Sequence, residues 1–132
     1  MLSPELTLLM QGRAILSDPK KWTRNAGARD DDGENCPVSD PRAICWCSTG
    51  ILDKLTGNAQ VQLRDRAVEL LRENVFHIGA KWYDGMHDGV EAMNDASSHE
   101  EVMKVWDITI AKQYAKETTA IDPESLRETK AS

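Results

Sequence analysis

Asp40-Pro41-Arg42-Ala43-Ile44-Cys45-Trp46-Cys47-Ser48-Thr49-Gly50-Ile51-Leu52-Asp53-Lys54-Leu55 is the stretch on which the fold turns. Asp40-Pro41 is a pair of the kind that opens helices. The Asp side chain accepts the free amides of a first turn, and proline lacks the amide that would go unpaired there. Ile44, Cys47, Ile51 and Leu55 then recur every three or four residues, and Gly57-Asn58 supplies a stop. This spacing predicts a helix over about 41–55, with Cys47 in its middle on the apolar face.

Upstream, Ser3-Pro4-Glu5 uses the same device. Leu6, Leu9, Met10 and Ala14, with Leu8 and Ile15 beside them, predict a helix over 4–17 that Asp18-Pro19 ends. Residues 19–40 carry Trp22-Thr23, Gly27, Asp30-Asp31-Asp32-Gly33 and Cys36-Pro37. Asp-Gly favours a tight turn, so a long hairpin-like loop centred on Asp32-Gly33 is expected between the first two helices.

Downstream, Val61, Val68, Leu71 and Val75 predict a third helix over 60–76. Gly79, Gly85 and Gly89 mark a loosely structured passage holding Trp82 and His87, and residues 90–95 add a short helical turn. Ser97 and Ser98 each have an acidic residue three positions on, Glu100 and Glu101, which is the capping-box spacing. The last long helix therefore starts there, with Val102, Met103, Trp106, Ile110 and Tyr114 inward. Asp122-Pro123-Glu124 fits one further turn in a weakly apolar end. The expected fold is mainly α: a single domain over 1–117, a small bundle of about four helices, followed by a peripheral tail over 118–132.

Composition narrows the function classes. Of 132 residues, 40% are hydrophobic, enough for one buried core without disulfide staples. The net charge is −6, and all of the excess lies in the second half: residues 1–66 hold nine basic and nine acidic side chains, residues 67–132 seven and thirteen. That balance argues against a general nucleic-acid binder. No apolar run approaches a membrane span, and the first residues lack the basic region of a secretory leader. Three cysteines without a leader point to a reducing compartment, so a cytoplasmic protein is expected.

Cys36, Cys45 and Cys47 with His77, His87 and His99 are zinc-ligand types, but their spacing lacks the usual paired knuckles, and no metal or other cofactor is predicted. Cys47 is the one candidate nucleophile, with a histidine as base and Asn94 or Asp95 as orienter. A mid-helix position argues against it; a helix beginning later, near Trp46, would remove that objection. Four of the seven aromatic residues are tryptophan. Trp22 and Trp46 lie near Arg24, Arg29 and Arg42 in sequence, which sketches an aromatic and basic patch able to hold a small nucleotide-like ligand or an acidic peptide.

Taken in order, Trp22-Thr23, Ala28-Arg29-Asp30, the Asp40–Gly50 block ending Trp46-Cys47-x-x-Gly50, Asn94-Asp95 and Glu101-Val102 resemble an uncharacterised family of small proteins of bacteria and their phages, over about residues 8–115. The resemblance implies one small domain, an origin in phage or prophage, and a single spatial cluster of Trp22, Arg29, Asp30, Trp46, Cys47, Asn94 and Asp95. It brings no catalytic residues. The resulting expectation is a non-enzymatic binding protein, an accessory factor that modulates a host protein or sequesters a small ligand. Trp22, Arg24, Arg29, Asp30, Trp46, Cys47, Asn94 and Asp95 are its candidate contacts, and self-association stays open. A thiol-dependent enzyme built on Cys47 and a structural or assembly subunit are the alternatives.

Overall fold

The computed structural model describes residues 2–57, 59–78 and 89–121. Five α-helices and a two-stranded antiparallel sheet make up the described fold: α1 (Pro4–Leu16), β1 (Ala28–Asp30), β2 (Ala43–Trp46), α2 (Ser48–Thr56), α3 (Val61–Arg72), α4 (Gly89–Ala96) and α5 (His99–Ile121). Short 3-10 turns at Pro19–Lys21 and Val75–Ile78 follow α1 and α3. The mainly helical expectation holds, whereas a simple four-helix bundle does not describe this architecture.

Helix α1 forms where the sequence places it. Ser3 caps it by accepting the Leu6 amide, and Leu6, Leu8, Leu9 and Leu16 are buried. Its neighbours are α2, α3 and α5, and Trp106 of α5 lies fully buried in the shared core with Ile51, Leu52, Leu71 and Met93. Of the two capping serines, Ser98 is the one used. Its hydroxyl accepts the Glu101 amide, and the Glu101 carboxylate accepts the Ser98 amide.

Toward its far end α5 departs from the predicted face. Val105 and Thr109 are buried and Tyr114 is 51% exposed. Three successive steps of four residues rotate a helical row by roughly 120° in all, so a stripe drawn through 102, 106, 110 and 114 leaves the core. The helix runs past residue 117 to Ile121.

The main correction concerns residues 41–47. Instead of a helix, Ala43–Trp46 form β2, paired with β1 through Ala28↔Trp46, Arg29↔Cys45 and Asp30↔Ala43, with an irregularity that leaves Ile44 as the extra residue. Asp40 still acts as a turn residue: its carboxylate accepts the Arg42 amide and its carbonyl the Ala43 amide. The chain then extends rather than coils, because β1 offers a partner for the β-branched and aromatic run Ile44-Cys45-Trp46. Asp32-Gly33 does make the expected turn, closed by Gly33 N–H to Asp30 O at 3.0 Å. The predicted passage through Gly79, Trp82, Gly85 and His87, and the turn at Asp122-Pro123-Glu124, lie outside the described residues.

Candidate functional site

Residues of the predicted cluster meet around Asn94, which α4 carries into the core at zero exposure. Its Oδ1 accepts the Trp22 indole N–H at 2.9 Å, the Ser48 amide at 3.0 Å and the Ser48 hydroxyl at 2.8 Å. Its Nδ2 donates to the Thr23 carbonyl at 3.0 Å and to Asp95 at 3.3 Å. Ser48 in turn accepts the Trp106 indole N–H at 3.1 Å, so two tryptophans from distant parts of the chain are joined through one amide and one hydroxyl. Asp95 accepts the Asn25 amide at 2.8 Å. A buried amide with every donor and acceptor engaged fixes the loop against α2 and α4.

Arg29 is equally committed to the fold. Its guanidinium donates to Thr23 Oγ1, Gly33 O, Asn35 Oδ1 and Arg24 O, at 2.6–3.1 Å. Asp30 is buried, and one carboxylate oxygen accepts the Asp32 and Glu34 amides of the turn. Trp46 is buried with Lys54 over its ring, and its neighbour Trp22 forms a parallel bridge to it through Thr23 N–H to Trp46 O. Arg24 lies over Trp22, 5.3 Å from the ring centroid, and His99 meets the same indole edge-on at 5.5 Å.

Cys47 sits at a helix N-terminus after all. It is the N-cap of α2, its sulfur accepting the Gly50 amide at 3.3 Å and lying 3.4 Å from Thr49 Oγ1. The helix-terminus position suits a thiolate, yet burial dominates: desolvation pushes the thiol up, against the lowering by hydrogen bonds from Thr49 and the Gly50 amide. At 4% exposure it faces no histidine among the described residues. His99 binds the Leu16 carbonyl at 2.7 Å and His77 pairs with Lys112 at 3.3 Å. The spacing Cys47-x-x-Gly50 therefore has a packing explanation. A Cβ on Gly50 would stand 2.0 Å from the Gly27 carbonyl oxygen, and that same oxygen accepts the Cys47 amide at 3.2 Å.

One concave surface was not read from the sequence. A groove of about 830 Å³ runs between the end of α1, the Val75–Ile78 turn and the first turns of α5. Ile78, Met103 and Ile108 contribute apolar walls, Arg13, His77, His99 and Lys104 bring nitrogen-bearing groups to it, and Glu100, Glu101 and Asp107 bring carboxylates. Arg13 is clamped by both oxygens of Asp107, at 2.7 and 3.2 Å. Its residues come from three separate segments, so no local motif announces it; His77 and His99 were noted only as metal-ligand types. Asp30, Asp31 and Asp32 bring three carboxylates within 4.8 Å of one another, two of them exposed. Among the described residues, no helix is long and apolar enough to cross a membrane.

No curated protein and no solved structure matches the chain. A family model does match, over residues 3–112, and so takes in the Asn94 network, the Cys47–Gly50 cap and the groove. By that match the chain belongs to DUF6197, a family of unknown function.

Proposed function

We propose that the protein works by non-covalent binding, with the groove beside α5 as its site for a small ligand. The groove carries this reading. Its volume falls within the roughly 300–1,000 Å³ of small-molecule sites, and it combines three apolar side chains with charged groups of both signs that can orient a ligand. Lys104 is exposed there and makes no ion pair among the described residues, which leaves an ammonium for an anionic group of the ligand. The Asn94 network serves as the scaffold behind this surface, since Trp22 links it to His99 at the groove wall. In this reading the protein is an accessory factor of bacterial or phage origin.

A thiol enzyme gains little support. The nucleophile is buried, its thiol is raised, and no imidazole among the described residues reaches it.

Native mass spectrometry of protein purified from cells, compared with its denatured mass, tests the groove reading. A mass excess lost on denaturation and absent from Lys104→Trp, which fills the groove from an exposed helix position, is the expected result. A bare chain in both proteins, together with no thermal stabilisation by a panel of nucleotides and small organic acids, refutes it.

A further inference from the structure

Arg24 stands apart from the other described arginines. Arg13, Arg42, Arg64, Arg66 and Arg72 each face a carboxylate, and Arg29 is tied into its loop by oxygens. The Arg24 guanidinium meets no carboxylate among the described residues and rests on Trp22 instead. Its surroundings are built by the sheet. Trp22 bridges to Trp46 at the end of β2, and the 3-10 turn carrying Lys20 and Lys21 packs against β2. Ile44 of β2 is 49% exposed, and beside it Arg42 reaches Asp30 and Asp40 only at 3.7 Å. Lys20, Lys21 and Arg24 are exposed and make no ion pair among the described residues.

The acids near Lys20 and Arg42 in sequence hold backbone amides. Asp18 accepts the Lys20 amide, and Asp40 accepts the Arg42 amide. Lys20, Lys21 and Arg24 thus flank the half-buried Trp22, and the exposed Ile44 belongs to β2, the strand against which the Lys20–Lys21 turn packs.

We propose that this corner of Lys20, Lys21, Trp22, Arg24, Arg42 and Ile44 is a docking surface for an acidic segment of another protein. Arginine and tryptophan around an apolar anchor are the side chains that dominate protein interfaces, and carboxylates of a partner complete the charges left open here. A nucleic acid fits less well, because Arg24 occupies an indole face on which a base would stack.

Fluorescence anisotropy with a labelled Glu-rich peptide containing interspersed Leu, and with a labelled single-stranded oligonucleotide of equal charge, tests the proposal. The peptide binds, binding weakens with salt, and Lys21→Glu, Arg24→Glu and Ile44→Asp each weaken it about tenfold. Lys116→Glu, a cation elsewhere on α5, and Lys104→Trp in the groove change it less than about twofold, so this proposal and the groove reading fail separately. Circular dichroism verifies that each variant is folded. The proposal is overturned by absence of peptide binding, by equal loss in Lys116→Glu, by tighter binding of the oligonucleotide, or by a dimer that Ile44→Asp dissolves.

Discussion

Gly50→Ala is the sharpest perturbation this structure offers. The new Cβ would stand 2.0 Å from Gly27 O, 2.9 Å from Gly27 C and 3.2 Å from Gly27 Cα. All three are backbone atoms, which cannot swing aside as a side chain can. Restoring ordinary contact requires β1 and the start of α2 to part by about 1 Å or more, given the close packing of protein interiors. Overpacking of this kind costs about 1–3 kcal/mol. Moving Gly27 away also weakens the Cys47 N–H bond to its carbonyl, worth about 1 kcal/mol. Alanine returns at most about 1 kcal/mol of helix propensity.

The net expectation is a loss of about 1–3 kcal/mol, or a midpoint lowered by roughly 3–15 °C in a chain of this length. Urea denaturation followed by tryptophan fluorescence measures it directly. Gly12→Ala is the natural comparison, because its Cβ would meet side chains alone, the Trp106 ring at 3.0 Å and the Ile51 methyl at 3.5 Å, and side chains yield more easily than a backbone carbonyl. A Gly50→Ala protein within about 0.5 kcal/mol of wild type, the range of ordinary surface substitutions, would refute the close approach and with it the packing account of the Cys47-x-x-Gly50 spacing.

Three further outcomes are expected. Asn94→Ala orphans the Ser48 amide and the Trp22 indole N–H together, costing about 3 kcal/mol in chemical denaturation and raising hydrogen exchange in residues 22–30. Native alkylation followed by mass mapping labels Cys36 and Cys45, both half-buried, well before Cys47; rapid labelling of Cys47 would revive the thiol enzyme. Burial alone would raise the Glu117 carboxyl, but hydrogen bonds from the Ser3 hydroxyl, the Ser3 amide and Gln113 outweigh it and hold the group below its ordinary value. The unfolded chain binds that proton more readily. The tie between Ser3 and α5 is therefore intact above the ordinary carboxylate value and is lost as pH falls through the depressed one, seen as faster amide exchange in the first turn of α1 that Ser3→Ala shows already at neutral pH.

What the sequence disclosed about this fold depended on how local the deciding interactions are. Ser3-Pro4, Ser98 with Glu101, and Asp32-Gly33 act on their own backbone within four residues, and the structure contains each of them where the composition placed it. Residues 43–46 read as helix because Ile44, Cys47, Ile51 and Leu55 keep helical spacing, and the feature that breaks the pattern lies more than ten residues away in sequence: β1, whose backbone pairs with Ala43–Trp46. The true start of α2 was masked by an uncommon cap, a cysteine sulfur doing the work that Ser, Thr, Asp or Asn usually does. Cys47 thereby moved from the middle of the expected helix to a helix terminus, where it remains 4% exposed.

The candidate site divides along the same line. Trp22, Arg29, Asp30, Trp46, Cys47, Asn94 and Asp95 were legible as a group because motif residues tend to share a neighbourhood, and the structure gathers them around the loop, β2 and the start of α2. Asn94 and Asp30 are buried, and Arg29 and Asp95 hydrogen-bond to the chain itself. Arg24 differs from this group in the one respect that matters for recognition: its backbone carbonyl accepts Arg29, while its guanidinium is left facing solvent over Trp22. The network that fixes Trp22 through Asn94 therefore also fixes the platform on which Arg24 rests. In the proposed docking, rigid support of this cation would lower the entropy lost on binding, so that a buried structural amide would contribute at a surface it does not touch.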